Sequence, residues 1–326
     1  MSKMKSPHEE RQRILTALRS DGPFLLTSHE HPDGDSIGSM LALHRWFVSR
    51  GVPSTPISLD GVPEPYTFVP SADAVVRKCP ADATDFVAVV VDTPDGSRMA
   101  CGPSLMDGAR ELINIDHHHD NPRFGTLNLV DASASSAALI VFELLEEIGA
   151  EIDTGAASLL YVGVLADTGG FRFGNTDPRT LAAASRLAAL GAEPANLARE
   201  IYGEQPIEHV RLLGRVLESA ETVLGGTVAV LYLTEAMRRE VGAGDDDIEG
   251  LASYGRLIRG VEIALLLREE NGRVRVNLRS KGAVDVSAIA KALGGGGHEA
   301  ASGVILDGPL TDVREKLLAA VARHLE

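Results

Sequence analysis

The sequence predicts an α/β protein: an N-terminal parallel-sheet domain, a helical connector and a smaller C-terminal α/β domain. Three observations carry that expectation. Phe86–Asp92 (FVAVVVD) and Glu111–Asp116 (ELINID) are continuous apolar runs that end on an acid. Unbroken apolarity is the pattern of strands buried on both faces, as in a parallel sheet covered by helices. Segments of helical period follow these runs as far as residue 190, and beyond residue 220 the texture changes to paired strands around an Asn-Gly turn.

Taken in order, an amphipathic helix near Glu9–Ser20 precedes a short buried strand, Phe24–Ser28. Asp35–Arg50 has helical period, with Asp35 a candidate N-cap and Gly51 a stop. The two apolar strands come next, then helices at Ser135–Gly149, Thr154–Ala166 and Pro178–Leu190, the last closed by Gly191. Residues 191–222 read as the connector. A strand at Thr227–Leu233 and a helix at Ile248–Arg259 follow. Strands Val261–Arg268 and Arg273–Ser280 are joined by the turn Glu269–Gly272. A short helix at Val286–Leu293, a glycine run, a strand near Gly303–Leu306 and a final helix complete the chain. The expected domains are 1–190 and 223–326.

The 326 residues hold 31 basic and 46 acidic side chains, a formal net charge of −15. That balance excludes a protein that coats long nucleic acid through a broad basic surface. It leaves room for a small phosphorylated substrate held by metal ions and a few arginines. Cys79 and Cys101 are the two cysteines. They imply no disulfide framework and point to a reducing compartment. The polar N-terminus lacks the apolar core of a signal peptide. The longest uncharged, mostly apolar run, Ala157–Ala166, is far shorter than the ~20 residues that span a bilayer. A cytoplasmic protein without a membrane partner is expected.

The chemistry concentrates in four segments: Thr27–Ser39 (TSHEHPDGDSIGS), Asp92 after the strand FVAVVV, Asp116-His117-His118-His119, and Asp167 in GVLADTGG. In an open α/β sheet the carboxyl ends of the strands face one crevice, so these groups can converge. Carboxylates gathered there raise one another's pKa unless a cation neutralises them. Aspartate oxygens mixed with imidazoles suit a divalent ion such as Mn²⁺. Singly, each segment reads equally as a polar turn or a strand-ending acid. Their joint placement selects the metal centre.

Two other patterns fail on context. Gly34-Asp35-Ser36-Ile37-Gly38 matches the nucleophile elbow of serine hydrolases, but the preceding strand ends too early for that strand-to-helix turn. Asp33-Gly34-Asp35 begins like a calcium loop, yet Ile37 and His44 stand where that loop needs ligands. The run Gly294–Gly297 before His298 lacks the Lys-Ser/Thr of a P-loop. Four glycines exceed what a helix cap needs and permit close backbone approach to phosphate. Arg279 could add a guanidinium fork for the same phosphate.

HEHPDGDSIGS, VVVDTPD, NIDHHHDNPRFG and GVLADTGGFRF resemble, in order, the motifs of the DHH phosphoesterase superfamily. VNLRSKGAVDVSAIAKALGGGGHEAASG is similar to its associated DHHA1 domain. Together they span most of the chain, and the GGGGH segment points to the nano-RNase and pAp phosphatase branch. The resemblance implies a site in the interdomain cleft with two divalent ions, Mn²⁺ or Mg²⁺. One would be held by His29, Asp33 and Asp92, the other by Asp35, Asp92, His117 and Asp167, with Asp92 bridging. Asp116 would stand just behind the metal ligands and count with His118 among the catalytic residues; His118 would face the substrate phosphate, while Arg279, Gly296, Gly297 and His298 would bind substrate. His31 and His119 receive no role.

The implied activity is hydrolysis of two- to five-nucleotide RNA to mononucleotides by a hydroxide shared between two cations. Conversion of 3′-phosphoadenosine 5′-phosphate (pAp) to AMP would be a second activity. Hydrolysis of pApA or cyclic di-AMP is the nearest alternative. A catalytically silent nucleotide-binding module is the alternative from another class. The partners expected are therefore short RNA or dinucleotides and pAp. A homodimer is compatible with the sequence, which does not specify an oligomeric state.

Overall fold

A computed structural model gives the structure of residues 7–80, 83–102, 105–203, 205–244, 248, 250–270 and 272–325. The chain divides into two units, Met1–Glu204 and Gln205–Glu326. In the first, β1 (Phe24–Thr27), β2 (Ser54–Ile57), β3 (Phe86–Val91), β4 (Ala109–Asp116) and β5 (Leu127–Val130) form a parallel sheet in the order β2-β1-β3-β4-β5. Helices α1 (Pro7–Leu18), α2 (Gly34–Ser49), α3 (Leu105–Gly108), α4 (Ala137–Ile148), α5 (Thr154–Asp167), α6 (Pro178–Ala189) and α7 (Pro194–Tyr202) complete it.

The unbroken apolarity of β3 has a direct cause. Val87, Val89 and Val91 enter the main core with α2, α4 and α5, whereas Ala88 and Val90 enter a second core on the opposite face. Phe24 of β1 stacks on Phe47 of α2 with ring centroids 3.9 Å apart. Truncating such a buried ring costs about 3–5 kcal/mol.

The face opposite α2, α4 and α5 is covered mostly by irregular chain, and there the structure corrects the cysteine expectation. Cys79 and Cys101, 22 residues apart, are joined by a disulfide, which removes the ground for inferring a reducing compartment from their number. Both cysteines pack against the second core.

In the second unit, β6 (Glu221–Val223), β7 (Val228–Leu233), β8 (Ile263–Glu270), β9 (Arg273–Ser280), β10 (Gly296–His298) and β11 (Ala301–Asp307) form a mixed sheet in the order β10-β11-β9-β8-β7-β6. Among the described residues, β7–β8 is the one parallel pairing of this sheet. α10 (Val286–Ala292) and α11 (Leu310–Leu325) cover one face. α8 (Ile207–Glu218), α9 (Glu235–Val241) and a 3₁₀ segment, Leu251–Leu257, cover part of the other.

The stretch read as a connector is divided: Leu197 and Ile201 of α7 join the first unit's core, and Leu212 and Val216 of α8 join the second's. The helix expected at Ile248–Arg259 is the 3₁₀ segment. The second half of the glycine run belongs to β10. Asn271, in the expected turn, lies outside the described residues. Among the described residues, no helix is long and apolar enough to cross a membrane.

Candidate metal centre

The strand order β2-β1-β3-β4-β5 reverses direction between β1 and β3, the place where open α/β sheets open a crevice at their carboxyl ends. His29 follows β1 and pairs with Met99 as an isolated bridge. Glu30 N donates to Arg98 O (2.8 Å) and Ala100 N to Ser28 O (3.0 Å). Asp33, rather than Asp35, caps α2: its Oδ1 accepts from Asp35 N (2.9 Å) and Ser36 N (3.1 Å). Asp35 therefore has another task. Its two oxygens accept from Ala137 N (2.6 Å) and Ala138 N (2.8 Å) at the start of α4.

Asp92 adopts a left-handed backbone, φ 49°, which for a residue with a Cβ costs roughly 1–2 kcal/mol. Its N–H still donates to Ile115 O (2.9 Å), so the sheet register holds the turn. After β4, His117 and His118 turn inward while His119 is exposed. Asp167 ends α5 and reaches the centre because α2 and α5 pack closely. A Cβ on Gly38 would lie 2.4 Å from Leu159 O, and one on Gly163 would lie 2.8 Å from Asp35 Oδ1. Any larger residue at either position would push the two acid-bearing helices apart.

These elements bring the sequence candidates together. The two oxygens of Asp92 face different imidazoles: Oδ2 lies 3.4 Å from His29 Nε2, and Oδ1 lies 3.5 Å from His117 Nε2. His117 Nε2 also lies 3.1 Å from Asp167 Oδ2. Among the described residues, three groups have donor atoms within 4.8 Å of one another: His29, Asp33 and Asp92; Asp35, His117 and Asp167; and Asp92, His117 and His118. His118 Nδ1 lies 2.8 Å from Asp116 Oδ1. Asn121 Nδ2 donates to the other oxygen, Asp116 Oδ2 (2.6 Å). His31 is exposed and faces Asp60.

The electrostatics test whether this donor set fits a cation. Burial, and then Asp92, push Asp35 up to about 8. Burial likewise raises Asp33 and Asp167. Burial opposes ionisation of Asp92 too, but hydrogen bonds from His117 and His29 hold it well below the usual carboxylate range. Burial disfavours the His29 imidazolium, yet Asp92 outweighs this and the pKa rises to about 9. Four carboxylates thus share protons with two imidazoles. A divalent ion supplies the same neutralisation and accepts both oxygen and nitrogen donors, so the residues fit one.

Sequence reasoning missed one member of this centre. Ser36 Oγ donates to Asp92 Oδ2 at 2.7 Å, so the serine orients the Asp92 carboxylate. The motif showed Ser36 only as a would-be nucleophile. Its partner is 56 residues away, and no local pattern announces such a contact.

The substrate-binding candidates belong to the second unit. Arg279 is the penultimate residue of β9, and its Nη1 donates to Leu278 O (3.0 Å). Gly296 and Gly297 pair with Gly303 and Ser302 of β11. The backbone of His298 pairs with Ala301, and its side chain lies outside the described residues.

Comparison with known proteins gives concordant matches. The model of the DHH family, N-terminal domain, matches residues 23–164, and that of the DHHA1 domain matches residues 225–326. The chain is 35% identical to the bifunctional oligoribonuclease and PAP phosphatase NrnA of Thermus thermophilus, over 97% of this chain and 95% of that protein. It is 30% identical to the Bacillus subtilis protein of the same name, over 86% and 88%. The crystal structure of an exopolyphosphatase-related protein from Bacteroides fragilis superposes with a TM-score of 0.89 at 24% identity, covering 99% of this chain and 98% of that one. From the motif order, the sheet and these matches, the chain belongs to the DHH family and carries a DHH N-terminal domain followed by a DHHA1 domain.

Proposed function

We propose that this protein is a metal-dependent phosphoesterase that hydrolyses two- to five-nucleotide RNA to mononucleotides and pAp to AMP. One observation carries the reading. Asp92 presents one oxygen to His29 and the other to His117, as a carboxylate shared by two ions must, in a chain similar along 97% of its length to a bifunctional oligoribonuclease and PAP phosphatase. His29, Asp33 and Asp92 would hold one ion, and Asp35, Asp92, His117 and Asp167 the other. Mn²⁺ is the proposed metal, with Mg²⁺ the alternative.

Two such cations, when bound, would supply positive charge for the attacking water and the phosphoryl oxygens. The chain's own residues do the rest. Ser36 and the two imidazoles fix the orientation of Asp92. Asp116, itself held by Asn121, fixes the His118 ring beside the reacting phosphate. His118 stabilises the developing charge and delivers a proton to the leaving oxygen. The water's oxygen ends on phosphorus and the P–O bond to the leaving nucleoside breaks. Arg279 and the Gly296–His298 segment bind a phosphate that does not react, giving affinity remote from the scissile bond.

The test is an Mn²⁺ assay of one preparation against pApA, RNAs of graded length, pAp and cyclic di-AMP. The expected result is release of mononucleotides from two- to five-nucleotide RNA and AMP from pAp, with long RNA poorly used. Hydrolysis confined to cyclic di-AMP or pApA would replace this substrate assignment. No hydrolysis of any would leave a nucleotide-binding module.

A further inference from the structure

Two carboxylates of the centre, Asp35 and Asp167, are carried by different helices, and each depends on a neighbouring stretch of backbone. Asp35 is fixed by Ala137 N (2.6 Å) and Ala138 N (2.8 Å), so its place follows the chain that enters α4. Asp167 is the last residue of α5, where helical carbonyls lack partners within the helix. Asn175 holds both supports with one group. Its Nδ2 donates to Ser135 O, one residue before the Ser136 cap of α4, and to Asp167 O, each at 3.1 Å. A primary amide has two N–H bonds, so each carbonyl takes one.

The backbone between Asp167 and Asn175 is bent to bring this amide back. Gly169, Gly170 and Phe171 are consecutive left-handed residues, with φ of 57°, 70° and 62°. Glycine takes that conformation freely, whereas a bulky phenylalanine does so at a cost. Thr168 closes the bend. Its hydroxyl donates to Val164 O (2.6 Å) and accepts from Phe171 N (3.1 Å), and its carbonyl accepts from Arg172 N (2.9 Å) and Phe173 N (3.0 Å). Backbone strain of this kind persists where the surroundings over-determine it, and it gathers at functional sites. A cap for α5 alone would need no reach to Ser135, which leads into the helix that holds Asp35.

We infer that Asn175 is a positioning residue: its amide ties the support of Asp35 to the support of Asp167 and so sets the spacing of two carboxylates that serve one ion. The inference rests on the two-ion reading above and adds to it a residue that acts through backbone carbonyls. Its two bonds lead to Asp35 and Asp167 rather than to His29 or Asp33, so its effect falls on one ion of the pair.

The experiment is calorimetric titration of the metal-free protein with Mn²⁺, for the parent, Asn175→Ala, Asn175→Leu, Asp167→Asn and the Asp167→Asn/Asn175→Ala double variant. Asn175 is exposed, and circular dichroism checks that each variant is folded. The parent should bind two ions. Asn175→Ala should weaken one of them by about tenfold or more and leave the other within about twofold, the scale on which groups that orient metal ligands act. Asn175→Leu, similar in size but without an N–H, should match it. A general loosening of the fold would move both ions. Spacing matters only while both carboxylates are present, so the losses in the double variant should fall short of the sum of the single ones. Unchanged binding in Asn175→Ala, equal weakening of both ions, parent-like binding in Asn175→Leu, or fully additive losses would each overturn the role and leave Asn175 a cap of α5. A parent that binds one ion or none would instead refute the two-ion reading, and the positioning role with it.

Discussion

The two units concentrate opposite charges. In the first, Asp33, Asp35, Asp92 and Asp167 converge with His29 and His117 where parallel strands and a helix end. In the second, Arg256 and Arg279 are fastened to carbonyls on either side of one residue of an antiparallel strand. On the proposed reading, the difference teaches that chemistry and substrate binding belong to separate scaffolds. Strand ends gather ligands from distant parts of the sequence, whereas a single strand and its neighbour can present a fixed pair of charges.

The largest expected effect comes from breaking the acidic cluster. Asp92→Asn should lower turnover by more than about a thousandfold on every substrate, because it weakens both ion sites at once. Activity within tenfold of the parent, in a variant with unchanged circular dichroism, would remove Asp92 from its shared role. On the cationic side, Arg279→Ala should reduce kcat/KM for short RNA by the ~1.5–3 kcal/mol of a charge-assisted hydrogen bond. Hydrolysis of bis-p-nitrophenyl phosphate, which has no second phosphate, should fall much less. Equal losses on the two substrates would place Arg279 at the reacting phosphate and erase the division between the units.

Smaller effects sharpen the comparison. Ser36→Ala removes one hydrogen bond to Asp92 and should cost about 0.5–1.5 kcal/mol in activation free energy, leaving an active enzyme. A loss above a thousandfold would revive Ser36 as a nucleophile. Proton sharing in the acidic cluster gives a stability signature in the metal-free protein. His29 is raised to about 9 and Asp35 to about 8. For each, the folded-state value exceeds the ordinary one, so its stabilisation is complete below the ordinary pKa and is lost as pH rises through the folded one. Asp92 is shifted the other way, and its loss falls in acid. Thermal unfolding of metal-free protein should therefore shift to lower Tm between pH 6 and pH 9, and excess Mn²⁺ should raise Tm more at pH 9. A flat or rising metal-free Tm across that range would contradict shared protons.

How much of this was legible in the sequence depended on whether the signal was local. β3 was plain because both of its faces are dry. β2 was invisible: Pro56 sits in its four residues, which only an edge strand tolerates. Leu251–Leu257 has helical spacing, but Gly250 and Gly255 and the close approach to Ala264 make it a 3₁₀ segment. The candidate ligands were legible because each ends or follows a recognisable element. Their partners were not. Ser36 with Asp92, Asp35 with the start of α4, and Cys79 with Cys101 are fixed only once the chain has folded. Asp35 read as the cap of α2, but Asp33 takes that place, and α4 claims the oxygens of Asp35.

The central claim is that Asp92 is shared by two ions. Its most direct test is Mn²⁺ titration of the metal-free protein, followed by calorimetry and by electron paramagnetic resonance, for the parent and Asp92→Asn. The account expects two Mn²⁺ per chain in the parent with a spin-coupled signal, and in Asp92→Asn weakened binding and loss of that coupling. Two tightly bound, coupled ions in Asp92→Asn, or a single ion in the parent, would contradict it.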